Sequence, residues 1–154
     1  VAAPIQYAAI DAYADHDDIE EFIKSTTDIH ACVNRHISNR LGAMGADCHT
    51  PQGGFYTWPD FSRLLGHRYE TSEQLSRSLL QEQGLATLAG SAFGEDPKHL
   101  KLRLAGCDYD GAAALALWPQ WRNDSSAFIQ RAAPNVVAAL DGFAAFISAN
   151  QTQQ

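Results

Sequence analysis

The sequence predicts an α+β fold, with a short, mostly antiparallel sheet flanked by helices in two layers. Three observations predict it. Apolar residues recur at three- and four-residue intervals from Ile19 to Leu41, the pattern of one long amphipathic helix near the N-terminus. Residues 99–104 alternate, with Leu100, Leu102 and Leu104 on one face and His99, Lys101 and Arg103 on the other, the pattern of a half-buried strand. Finally, 154 residues that are 45% hydrophobic and 19% charged fit one domain with a core of its own.

Taken in order, Pro4 suits the first turn of a helix over 5–14, where its missing N–H costs nothing. Residues 15–21 then hold five acids, Asp15, Asp17, Asp18, Glu20 and Glu21. Such a cluster could ligate a metal, but no ligand-spaced partner stands near it. Negative charge at a helix start, complementing the dipole, is the preferred reading. The long helix follows, from Ile19 to about Gly42, with Arg35 and Arg40 towards its end. Residues 45–48 read as a short strand, 49–54 as a turn, and 55–58 as an aromatic strand that Pro59 ends. The stretch 60–70 reads as loop with one helical turn.

Thr71 and Gln74 form a capping-box pattern, Leu75, Leu79 and Leu80 give the next helix its stripe, and Gly84 is placed to terminate it. Strand, loop and strand follow over 84–104, with Gly90 and Gly94 allowing positive φ or the close approach of a ligand or another backbone. A helix starts near 108–111 and runs to Trp118, where Pro119 is expected to break it. Residues 121–131 read as a polar segment with aromatic anchors. Pro134 opens a last helix with Val136, Val137, Leu140, Phe143, Ala144 and Ile147 on its inner side, and the polar tail 150–154 is expected to fray.

The net charge of −7 argues against a nucleic-acid partner, because phosphate binding needs clustered Lys and Arg. No apolar run approaches a membrane span, and the first residues lack the pattern of a signal peptide. Cys32, Cys48 and Cys107 are odd in number and widely spaced, which is no disulfide framework and points to a reduced, cytoplasmic setting. His30, Cys32, His36, Cys48 and His49 offer zinc-type donors, but at spacings that match no compact zinc pattern. No metal site and no cysteine nucleophile is expected.

Two runs resemble a known family. Pro51-Gln52-Gly53-Gly54-Phe55-Tyr56-Thr57-Trp58-Pro59 is similar to the proline-glycine-aromatic strand of the class I/II aminotransferases, the fold-type I enzymes that use pyridoxal 5'-phosphate. Gly90-Ser91-Ala92-Phe93-Gly94, followed by Leu102-Arg103-Leu104, resembles the closing part of the same family. The motifs stand in the family's order, and the resemblance covers about residues 4–103. The long helix with its acidic start resembles the helix that links the family's two domains.

The resemblance implies that residues 1–154 form the C-terminal small domain of such an enzyme, and that the large cofactor-binding domain lies outside this chain. It implies amino acid and 2-oxo acid substrates, a homodimer, and Arg103 as the residue that binds the substrate α-carboxylate. A guanidinium suits that role because its planar fork matches a carboxylate with two parallel hydrogen bonds. By the same resemblance Phe55 comes near the substrate and helps exclude water. None of the three lysines, Lys24, Lys98 and Lys101, stands in a setting that resembles the family's cofactor lysine. The chain alone is therefore expected to carry no catalytic residue, to bind no pyridoxal phosphate and to be inactive. The alternative is a free-standing, non-catalytic module that binds a small anion on the face of His99, Lys101 and Arg103.

Overall fold

The computed structural model describes residues 1–14 and 16–151. The chain begins with α1 (Ala3–Ala12), which has Pro4 in its first turn and buries none of its residues. The long helix α2 runs over Asp17–Ala43, and Asp17, Asp18 and Glu20 lie in its first turn, as the dipole argument requires. Asp15 lies outside the described residues. The second half of α2 buries Ile29, Val33, Ile37 and Leu41. Its first half does not complete the stripe, since Phe22 and Ile23 are exposed.

Three short strands form one antiparallel sheet in the order β1-β3-β2, with β1 at Tyr56–Thr57, β2 at Leu88–Ala89 and β3 at Leu102–Ala105. Tyr56 pairs with Ala105 and Thr57 with Leu104, while Leu88 pairs with Arg103 and Ala89 with Leu102. The predicted strand over 45–48 is reduced to a single bridge between Asp47 and Asp60. The one-turn helix α3 (Ser62–Leu65) falls inside the predicted loop.

Helix α4 (Ser72–Gln83) starts and stops where its signals stand. The Thr71 hydroxyl accepts from the Gln74 N–H at 3.3 Å, and Gly84 adopts φ +68° at the C-terminus. Two expectations fail beyond β3. Pro119 does not break α5, which runs over Gly111–Trp121 with the proline inside it. Trp118 packs edge-on against Phe128 with ring centroids 4.9 Å apart, and that anchoring offsets the one backbone hydrogen bond the proline removes. Residues 121–131 are also not merely polar. They contain α6 (Ser125–Ala132), capped by Asp124 and burying Phe128, Ile129 and Ala132.

The last helix, α7 (Pro134–Gln151), starts at the predicted proline and buries Val136, Leu140, Phe143, Phe146 and Ile147. Its ring stacks, Phe61 on Phe143 at 5.8 Å and Tyr69 on Phe146 at 5.9 Å, tie it to the segment around α3. Asn150, expected to fray, is buried and accepts from the Tyr69 hydroxyl at 3.2 Å. Residues 152–154 lie outside the described residues. The core is continuous from the leucines of β3 through α2, α4 and α7. Among the described residues, no single helix is long and apolar enough to cross a membrane.

A candidate site around an arginine held between two aromatic rings

The strand alternation leaves the leucine face of β3 in the core and turns Arg103 to the other side, where it is half-buried. The sheet register then supplies its first neighbour. Tyr56 stands opposite Ala105, so it is diagonal to Arg103 on the same face of an antiparallel pair. The guanidinium carbon lies 4.4 Å from the centre of the Tyr56 ring.

The second ring comes from the glycine-bounded turn after β2. There Gly90–Phe93 form one turn of 3-10 helix, closed by Gly94 at φ +89°. A Cβ on Gly90 would sit 2.9 Å from the Lys101 carbonyl oxygen, so the turn can lie against the approach to β3 only with glycine there. The turn carries Phe93 to 4.2 Å from the Arg103 guanidinium carbon, and Trp58 buttresses Phe93 edge-on at 5.3 Å. The guanidinium carbon thus lies over two aromatic rings, an arrangement the ring quadrupole favours. No hydrogen bond or ion pair occupies its N–H edge among the described residues. The site presents a cation of fixed orientation whose five donors are unused.

The other two cations of the predicted basic face are not comparable. Lys101 Nζ lies 3.0 Å from both carboxylate oxygens of Glu95, and His99 Nδ1 lies 3.7 Å from the same carboxylate. Glu95 neutralises that end of the strand and leaves Arg103 as its open cation.

Phe55 lies beside this site, against the ring of Tyr56. It is half-buried, its ring is 4.4 Å from Tyr56 and 5.8 Å from His30, and its carbonyl accepts from the Gly106 N–H at 2.7 Å. Asn34, buried on α2, donates to the Gly54 carbonyl at 2.8 Å and so anchors the loop that leads into Phe55 and Tyr56. Sequence reasoning passed over Tyr56 and Phe93 as partners of Arg103, because the pairing depends on strand register and on how the turn folds back.

The zinc-type donors do not converge. His30 is 3.0 Å from the Tyr109 hydroxyl, and among the described residues no three of His, Cys, Asp or Glu could share a metal ion. Burial pushes the Cys32 and Cys48 thiols above their ordinary range, although Ser125 and Arg35 oppose it at Cys32 and Ser38 opposes it at Cys48. A thiol so shifted is a poor nucleophile.

The residues present do not fit pyridoxal phosphate. Lys24 is exposed and paired with Asp28 at 2.7 Å, Lys101 is held by Glu95, and Lys98 sits exposed in a turn after Pro97. No described lysine stands free beside a helix start that could cradle a phosphate.

Comparison with known proteins yields a consistent set of similarities. The model of the family described as aminotransferase class I and II matches residues 1–116. The aspartate/prephenate aminotransferase of Cereibacter sphaeroides is 30% identical over 99 residues, covering 60% of this chain and 24% of that protein. The aspartate aminotransferase of Pinus pinaster is 42% identical over 64 residues, covering 37% of this chain and 13% of its own length. The aromatic aminotransferase of Pyrococcus horikoshii has a similar fold, with a TM-score of 0.63 at 22% identity over 94% of this chain and 31% of that one. The aspartate aminotransferase of Rhizobium meliloti gives a TM-score of 0.58 at 24% identity, over 88% and 28% of the two chains. These structural similarities concern the fold alone. The chain spans about a quarter of the length of the curated relative from Cereibacter sphaeroides.

Proposed function

This chain belongs to the aminotransferase class I and II family, and from that premise we propose that it is the small-domain part of a pyridoxal-phosphate-dependent aminotransferase in which Arg103 binds the substrate α-carboxylate. The complete enzyme transfers an amino group between an amino acid and a 2-oxo acid. The cofactor supplies the electron sink for that chemistry, and the residues that hold it belong to the rest of the enzyme. Within this chain the work is binding and orientation.

The observation that carries the reading is the unpaired guanidinium between Tyr56 and Phe93. A carboxylate approaching the edge of the guanidinium plane meets two parallel N–H donors, while the two ring contacts help to hold the side chain in place. Phe55 continues the aromatic wall on the Tyr56 side. The alternative, a free-standing anion-binding face, is less well supported because Glu95 already engages Lys101 and lies beside His99.

The experiment is Arg103→Lys in the complete enzyme. Lysine keeps the charge and loses the fork. Loss of a charge-assisted contact to a desolvated partner costs about 2–5 kcal/mol, so kcat/KM for an amino acid should fall by roughly thirty-fold to a few thousand-fold. The decarboxylated amine never uses the contact and should lose much less. Equal losses on the two substrates would mean that Arg103 supports the structure and does not read the carboxylate.

A further inference from the structure

The turn that brings Phe93 to Arg103 has little apolar burial to hold it. Within Gly90–Phe93 only Gly90 is buried, and Ala92 and Phe93 are exposed. Ser91 supplies the one polar side chain of the turn, and its partners are at the start of α4. The Ser72 hydroxyl donates to Ser91 Oγ at 3.3 Å, and Ser91 Oγ donates in turn to the Glu73 carboxylate. Ser72 is itself fully buried, and its backbone N–H donates to the Pro97 carbonyl at 2.8 Å. One turn along the same helix, Ser76 Oγ donates to the Thr87 carbonyl at 2.9 Å. Helix α4 therefore holds the chain before, within and after the turn, and Ser91 is the contact within it.

Two restraints act on Phe93 from outside the strands. The Trp58 ring meets it edge-on at 5.3 Å, and the Ser91 bonds fix the orientation of the four-residue turn that carries it. The Gly90 N–H, which donates to the Lys101 carbonyl at 2.8 Å, ties the first residue of the turn to β3 but leaves its far end to these two contacts. The Ser91 hydroxyl is also the foremost of the groups that hold the Glu73 carboxyl below its ordinary 4.5. The acceptor is thus a charged carboxylate, which makes the stronger kind of hydrogen bond. Removing the Ser91 hydroxyl would leave the buried Ser72 hydroxyl without its acceptor, the arrangement that a fold tolerates least.

We propose that Ser91, held by Ser72 and Glu73, is a positioning residue of the carboxylate site and acts through Phe93 on the guanidinium of Arg103. The proposal rests on the reading of Arg103 as the residue that binds the carboxylate. Ser91 touches neither the guanidinium nor a ligand. Its hydroxyl sets where the turn stands, the turn sets where the Phe93 ring lies, and the ring, 4.2 Å from the guanidinium carbon, restrains the fork before a carboxylate arrives. A fork that is already ordered loses less freedom on binding, so the contact is tighter than the same charge on a loose side chain would give.

The test has two readouts. In the isotopically labelled 154-residue chain, the Arg103 Hε and δ-methylene resonances report the ring contacts. Ser91→Ala should move them towards the values of an exposed arginine and weaken the cross-peaks to the Phe93 ring. Ser91→Thr keeps the hydroxyl and should restore them. Glu73→Ala should act like Ser91→Ala, while Glu73→Gln, which still offers an acceptor, should not. Asp124→Ala removes the cap of α6, far from this site, and should leave the Arg103 resonances in place. In the complete enzyme, Ser91→Ala should raise KM for an amino acid by roughly two- to five-fold, the range of one cation–ring contact, with kcat retained and the decarboxylated amine unaffected. Arg103 resonances that stay in place in Ser91→Ala, or that move as far in Asp124→Ala, would overturn the proposal. So would a Ser91→Ala enzyme that loses equally on both substrates while Arg103→Lys separates them, and the reading of Arg103 would then stand alone. Equal losses on both substrates for Arg103→Lys would remove that reading and this proposal with it.

Discussion

Lys101 and Arg103 stand two positions apart on one strand, yet only one of them is free to bind. Glu95 holds Lys101 by both carboxylate oxygens, whereas the guanidinium of Arg103 lies against the rings of Tyr56 and Phe93 and keeps its donors unused. Alternation in the sequence is enough to place Arg103 opposite the leucines. It cannot reveal that Glu95, six residues before Lys101, folds back on it, nor that Tyr56 arrives by register. At this scale His36 makes a separate prediction. Burial, aided by Arg40, depresses its folded-state pKa from the ordinary 6.5. The stability tied to the neutral ring is therefore present above that value and is lost as pH falls through the depressed folded-state value, because the unfolded chain takes up the proton first. Urea unfolding in chloride buffer should show stability falling as pH is lowered below the ordinary histidine value of 6.5, and His36→Gln should fall less steeply. Parallel curves for the two proteins would show that His36 does not titrate differently on folding.

The helices were legible where their ends carry chemistry. Pro4, the acidic first turn of α2, Thr71, Gly84 and Pro134 each stand at or next to the boundary their chemistry implies. The strands were less so, since β1 and β2 are two residues each and exist only by pairing with β3. Local pattern over so short a span carries little information. Helix α6 had its signals, a capping Asp124 followed by Phe128, Ile129 and Ala132 on one face, but eight residues give few repeats of the period. The helix continues through Pro119 because tertiary packing of Trp118 outweighs the local penalty. The cap at Thr71 can be measured directly. Its hydroxyl accepts from Gln74 N–H, and the Gln74 side chain in turn accepts from the Glu70 N–H at 3.0 Å. Thr71→Ala leaves one orphan helix-start donor and should destabilise the chain by about 1 kcal/mol, read as a lower urea midpoint with an unchanged slope. Thr71→Ser should recover most of that loss. No difference between Thr71→Ala and the parent would mean that water replaces the hydroxyl without penalty.

At the scale of the whole molecule, the N-terminal end is the part that the core does not explain. Helix α1 buries none of its ten residues, while Ile5, Tyr7, Ile10 and Tyr13 are 60–91% exposed, and Phe22 and Ile23 extend the apolar surface onto α2. A helix of that length is marginal in water without a surface to pack on. Exposed apolar area of this kind marks an interaction face. This chain spans about a quarter of the length of the Cereibacter sphaeroides relative, and in a complete enzyme the remaining chain, or a second subunit, would cover that face. In isolation a second copy of the same face is the available cover. Light scattering on the 154-residue chain should therefore give at least twice the mass of 16.8 kDa, and a hydrophobic dye should bind to whatever monomer remains. Ile10→Glu combined with Phe22→Glu should return the chain to a monomer. The same pair should change the unfolding free energy of that monomer by less than about 0.5 kcal/mol, because neither side chain contributes to the core. A parent chain that is monomeric and silent to the dye would count against an interface here, and a double variant that unfolds would place α1 inside the fold.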